Sequence, residues 1–207
     1  MKKSVAIGVI VATLTAACLV PALSATAFQE GQGQPQPADM AAMMEKARQF
    51  TEPGPNHKIL ERFIGKWNVE TRFFMGAQSS SPEKGVTEAA WLTPGRWVKS
   101  ETNGTMMGRP VQIFSIIGYD NFKMSYVTTS VSSLDTAMTR TEGDMDPSGK
   151  ALLTYGTLDE YLTGEHDKMV KYVWRFVSDD KIVLEIHDLP IGEQNTKVVE
   201  ITYTRQK

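Results

Sequence analysis

Lys66-Trp67-Asn68-Val69-Glu70-Thr71-Arg72-Phe73-Phe74-Met75 alternates in character at spacing two, with Trp67, Val69, Thr71 and Phe73 on one face. That period belongs to a strand, because successive side chains of an extended chain point to opposite sides. The rhythm continues to the C-terminus. It predicts strands over 66–75, 85–93, 96–102, 110–119, 122–130, 134–144, 150–158, 168–177, 181–188 and 196–205. Joints such as Thr93-Pro94-Gly95, Asp120-Asn121, Asp146-Pro147-Ser148-Gly149 and Ser178-Asp179-Asp180 are short, so neighbouring strands are antiparallel hairpin partners. A parallel sheet needs crossovers for which there is no room.

A meander of ten strands has two edges, and long edges pair with other chains. Closure into a barrel removes both. With an even strand count, the first and last strands meet antiparallel. Val199, Ile201, Tyr203 and Arg205 share one face of the last strand, which sets Arg205 beside Trp67 at one end. A guanidinium over an indole is favourable by about 0.5–2 kcal/mol. The expected fold is mostly β: an antiparallel up-and-down meander closed into a roughly ten-stranded barrel, preceded by one or two N-terminal helices.

Upstream of the barrel the chain changes character three times. Lys2 and Lys3 precede an apolar run from Val5 to Val20, and Ala25-Thr26-Ala27 offers the small residues of a cleavage site, so residues 1–27 read as a secretory signal peptide. The run of about 16 apolar residues is short of the ~20 a membrane span needs. Thr15-Ala16-Ala17-Cys18 is a degenerate lipoprotein box, which makes lipidation at Cys18 the competing reading. Residues 28–38 are a flexible leader of Gln, Gly and Pro. Residues 39–64 hold the helices. Asp39 caps a first one running to about Phe50, whose Met40, Met43, Met44 and Ala47 form a stripe expected to pack on the domain. Pro55 or Asn56 opens a second through Ile64, with Ile59, Leu60 and Phe63 buried. Residues 65–207 make the barrel, one domain with 39–64.

Gly65-Lys66-Trp67 after a short helix, together with Arg205 on the terminal strand, resembles the Gly-x-Trp and closing-Arg signature of lipocalins and related calycin barrels. The wider pattern resembles a bacterial family known as domain of unknown function 1579. The matching pieces are Pro53-Gly54-Pro55-Asn56-His57-Lys58-Ile59-Leu60, Gly65-Lys66-Trp67, Pro94-Gly95-Arg96-Trp97, Gly118-Tyr119-Asp120 and Tyr203-Thr204-Arg205. The resemblance implies a lipocalin-like fold with Gly65, Trp67 and Arg205 as its structural closure, and carries no function. Heme-binding calycins follow Gly-x-Trp closely with more glycines. Asn68-Val69-Glu70-Thr71 stands here instead, so neither heme nor another cofactor is implied.

Barrels of eight strands already hold small ligands in some cases, so ten strands predict a cavity. Inward parity assigns Phe122, Met124 and Tyr126 to its lining, with Leu184 on the ninth predicted strand. The fourth and eighth predicted strands are apolar on both faces, so their facing is undecided. Glu88, Met138 and Arg140 share parity with apolar neighbours and are candidate ligand-binding residues. Arg140 with Tyr126 could hold a carboxylate through a bidentate donor pair and a phenol; alternatively Arg140 sits at the rim or pairs with Glu88 or Glu142.

The 22 basic residues against 24 acidic ones, a net charge of −2, lack the basic footprint that nucleic-acid binding needs. His57, His166 and His187 have no metal-ligand spacing, and phosphate-loop and Gly-x-Ser-x-Gly motifs are absent. The sequence therefore points to an exported periplasmic or extracellular barrel that binds a small apolar or amphipathic molecule. Two alternatives remain: an enzyme using Glu88, Arg140, Tyr126 or His57 as acid/base groups, and a structural or interaction protein using the methionine helix. If the signal is cut after Ala27, intact-mass measurement of the exported protein will give a 180-residue chain beginning at Phe28. A mass that retains Cys18 with attached acyl chains would overturn that cleavage.

Overall fold

Ten strands of alternating polarity coil into a single closed ring. A computed structural model describes residues 37–75, 78–160, 164–189 and 197–207. The expected signal peptide, Cys18 and the leader through residue 36 lie outside the described residues. The barrel belongs to a compact unit from Met43 to Lys207. No helix among the described residues is long and apolar enough to cross a membrane.

The strands are β1 (Gly65–Met75), a two-residue β2 (Gln78–Ser79), β3 (Glu83–Thr93), β4 (Trp97–Met106), β5 (Arg109–Asp120), β6 (Ser125–Ser132), β7 (Met138–Met145), β8 (Ala151–Glu160), β9 (Glu165–Ser178), β10 (Lys181–Asp188) and β11 (Lys197–Arg205). Each barrel strand pairs with its neighbour in chain order, and β11 pairs back onto β1; β2 only extends one hairpin. The closing ladder is antiparallel and sets Trp67 opposite Arg205, Val69 opposite Tyr203 and Phe73 opposite Val199. This is the closed antiparallel meander barrel that the period-two pattern predicts.

Two strands begin three or four residues later than expected, both because a side chain captures the backbone. Asp120 Oδ1 accepts bonds from the amides of Phe122 and Lys123 at 2.8 and 3.1 Å, and Met124 adopts a left-handed φ of 56°. Residues 121–124 are therefore a turn, and β6 begins at Ser125. Likewise Leu134 donates to Ser132 Oγ and Ala137 to Asp135 Oδ1, so β7 begins only at Met138. Such local side-chain bonds compete with a ladder.

The first helix, α1, spans Pro37–Thr51, so Pro37 and Ala38 belong to it rather than to a leader. None of its residues is buried. The expected packing of the methionine stripe is corrected: Met40, Met43 and Met44 are all exposed. The second helix, Pro55–Phe63, is 3-10 throughout. Three residues per turn align positions three apart, so its buried face is His57, Leu60 and Phe63, while Ile59 is half-buried.

This helix closes one end of the barrel. Leu60 and Phe63 join Trp67, Val98, Ile117, Tyr126, Leu152, Phe176 and Ile182 in the main apolar cluster. Polar contacts fasten it there. Tyr126 donates its hydroxyl to the Asn56 carbonyl at 2.8 Å, Trp67 Nε1 donates to the Phe63 carbonyl at 2.9 Å, and Gly54 N donates to His57 Nδ1 at 3.0 Å. The imidazole lies edge-on to Tyr119. Burial, with help from nearby Arg96, lowers the His57 pKa, so the ring acts as a neutral acceptor. Arg96 reaches the Thr51 carbonyl and Asn121 the Glu52 carbonyl, tying down the end of α1.

Arg205 stands at the seam. Its guanidinium lies 4.0 Å from the Trp67 ring centroid, Nη1 donates to the Ile64 carbonyl at 2.6 Å, and Nε to the Asp179 carbonyl at 3.0 Å. Gly65, at φ 132°, makes this possible, because a Cβ there would meet Arg205 Nη1 at 2.3 Å. Arg205→Lys keeps the charge but loses the planar fork. In urea denaturation it is expected to lower the unfolding free energy by about 1–3 kcal/mol, and Gly65→Ala is expected to destabilise as well; wild-type stability in both would show that the seam does not depend on this contact.

Candidate functional site

The floor fills only one end of the barrel. Above it lies a cavity of about 880 Å³, enclosed by the inner faces of the strands and reaching the loops at the far end. Inward residues follow from the alternation anchored at the seam. On β1 these are Trp67, Val69, Thr71 and Phe73; on β5, whose facing periodicity leaves open, they are Val111, Ile113, Ser115 and Ile117. On β9 the inward set includes Tyr172 and Trp174. On the outward face of β5 Phe114 is exposed and Ile116 half-buried.

The cavity has two unlike walls. Strands β9, β10, β11 and β1 give Tyr172, Trp174, Leu184, Ile186, Val199, Ile201, Tyr203 and Val69. Trp174 and Tyr203 stack in a tilted pair with ring centroids 5.9 Å apart. Strands β3 to β7 add hydroxyl side chains among Val98, Val111, Ile113 and Ile117: Thr87 bonds to Thr102 at 2.6 Å, and Ser100, Ser115, Thr128, Ser130, Thr139 and Thr141 share that side. Thr141 donates to the buried Thr154 at 3.0 Å. The mouth is acidic. Glu83, Asp135, Asp159, Glu160 and Asp188 reach it with Lys84; Glu83 Oε1 accepts from Gly108 N, and Asp188 pairs with Lys168 at 2.9 Å.

The residues singled out from the sequence fall in three places. Leu184 lines the cavity, and Tyr126 faces inward but is spent in the floor. Five others are corrected to the outside. Glu88 is exposed and pairs with Lys66 at 2.7 Å. Arg140 and Met138 face outward on β7, where Thr139 and Thr141 face in, and Arg140 Nη2 lies 3.7 Å from Met138 Sδ. Phe122 and Met124 sit on the turn before β6, 77% and 71% exposed, and Phe122 packs on Phe50. The clamp of Arg140 with Tyr126 for a carboxylate does not form.

These corrections share a cause. Apolar parity marks the inward face only where the interior is solid, and half of this interior is a hydroxylated cavity wall. On β3 the inward residues are Glu83, Gly85, Thr87, Ala89 and Trp91, while the more apolar-looking set of Val86, Ala90 and Leu92 faces out. The signal that finds this wall is repetition of Ser and Thr at one parity on consecutive strands.

Burial raises the phenols of Tyr126 and Tyr172 to about 12, and that of Tyr203 still further. These groups ionise first in the unfolded chain, near pH 10. Above that pH the unfolded state binds fewer protons than the folded one, so stability falls as pH rises. The urea midpoint is expected to be insensitive to these three groups below pH 10 and to drop between about pH 10 and 12; a flat profile across that window would place the phenols in water.

No curated protein matches the chain. Among solved structures, that of Rv2717c from M. tuberculosis is similar at a TM-score of 0.50 and 10% identity, covering 75% of this chain and all of that one. The S-type phycobiliprotein lyase CPES from Guillardia theta matches at a TM-score of 0.49 and 11% identity, over 72% of this chain and 92% of that one. The likeness to Rv2717c speaks for the fold alone. The pattern of the family described as "Protein of unknown function (DUF1579)" spans residues 52–205, from the end of α1 to the closing arginine, and the chain belongs to that family.

Proposed function

We propose that this protein is an exported binding protein that holds a small apolar or amphipathic molecule in its barrel. The observation that carries the reading is the cavity of about 880 Å³ between a packed floor and an open mouth. Ligand pockets commonly measure about 300–1,000 Å³ and are lined by apolar and aromatic side chains with a few polar groups. Trp174, Tyr203, Leu184 and Ile201 supply the apolar surface.

The groups considered for acid/base chemistry do not converge. Glu88 and Arg140 are outside the barrel, and His57 and Tyr126 are bonded to backbone in the floor. Binding without reaction is the simpler use of the cavity. Export rests on the sequence pattern of residues 1–27.

Nile red, a neutral dye whose emission shifts in apolar surroundings, tests the reading on the purified mature protein. Saturable binding with a blue shift is expected, together with quenching of tryptophan emission by the dye. The double variant Ile113→Trp with Ile186→Trp narrows the cavity and is expected to weaken binding by about tenfold or more. Absence of saturable binding, or binding indifferent to that variant, would remove the cavity as the site.

A further inference from the structure

The hydroxyls of the polar wall are not scattered. Ser100 is paired with Ser115, Ser115 with Ser130, and Ser130 with Thr139. Four adjacent strands of the ten thus place four hydroxyl residues in one row, at the spacing of neighbouring strands, about 5 Å. Among the described residues the hydroxyls of Ser100, Ser115 and Ser130 have no hydrogen-bond partner, and Thr128 Oγ1 is buried without one. Across the cavity stand Trp174, Leu184, Ile201 and Tyr203.

The charges complete the picture. Among the described residues every charged side chain lining the cavity is at the mouth, where five carboxylates accompany Lys84 and the Lys168 that pairs with Asp188. Among the described residues no cation lies on the inner faces below it to meet an anionic head, and Arg140 faces solvent.

We infer that the cavity selects an uncharged, facially amphipathic lipid: a molecule apolar along one long face and carrying several hydroxyl or carbonyl oxygens along the other. This rests on the binding reading above and narrows it. The apolar face lies against Trp174, Leu184 and Ile201, and the oxygenated face spans the row from Ser100 to Thr139. Serine hydroxyls both donate and accept, so the row suits hydroxyls and carbonyls alike. A hydrocarbon would leave the row unbonded, at a desolvation cost for each hydroxyl. A fatty-acid anion would have to pass the carboxylate mouth and leave its charge unpaired.

Three competitors against Nile red on the mature protein test the inference: a trihydroxylated steroid alcohol with its hydroxyls on one face, its monohydroxylated counterpart, and oleate. The triol is expected to displace the dye about tenfold more strongly than the mono-alcohol, the worth of one to two net hydrogen bonds, and oleate more weakly than the triol. Ser115→Ala with Ser130→Ala is expected to bring the two alcohols to near equality, each referred to the Nile red affinity measured on the same variant. If that double variant fails to fold, Ser100→Ala in the same row provides the comparison. Dye binding with no preference for the triol, a preference that survives these substitutions, or stronger displacement by oleate would overturn the inference while leaving a binding cavity. No dye binding at all would overturn both.

Discussion

The guanidinium of Arg205 is the contact on which the architecture turns. It joins the last strand to the first through the Trp67 ring, and joins both to the helix through the Ile64 carbonyl. An open ten-stranded meander would present two unpaired edges; this one has none in the barrel, because β11 returns to β1 over seven residue pairs. Closure then fixes the alternation all the way round. Once Trp67 and Arg205 are inside, each strand paired in register has its inward face determined, including β5 and β9, whose own apolar patterns do not decide it. The hollow follows from the same closure, since side chains from the two walls do not meet across the middle.

The two ends of the barrel do different work. The pieces that resemble the family gather at the floor: Gly65 and Trp67 at the seam, His57 against Tyr119, Arg96 on the end of α1, and Gly118 beneath Trp97, where a Cβ would meet the indole at 2.2 Å. These residues form a plug for one end of a tube. The cavity begins above them and is built of residues that carry no recognisable motif. Membership of the family therefore accounts for the fold, and the proposed binding rests on the walls.

This division explains what could be read from the chain. Strand number, antiparallel order and the Trp67–Arg205 register were all legible, because each depends on a period of two and on short joints. The floor was partly legible: Leu60 and Phe63 were expected to be buried, but the 3-10 geometry that selects His57 over Ile59 has no clear periodic signal in nine residues. Phe122, Met124, Glu88, Met138 and Arg140 lie outside the cavity because apolar parity marks neither the strand starts nor the facing here. Asp120 and Asp135 captured the backbone at two strand starts, and a hydroxylated interior reversed the usual meaning of polarity on β3 and β7. The exposed methionines of α1 show the same limit: a stripe on a helix records an apolar face, not what it meets.

The hollow itself is tested most directly by diffraction from crystals of the mature protein under xenon pressure, since xenon enters apolar cavities without needing a matched ligand. The account predicts xenon inside the barrel beside Leu184, Ile186 and Ile201, and none within the floor around Leu60 and Leu152. A barrel whose inward side chains fill its centre and admit no xenon would contradict it.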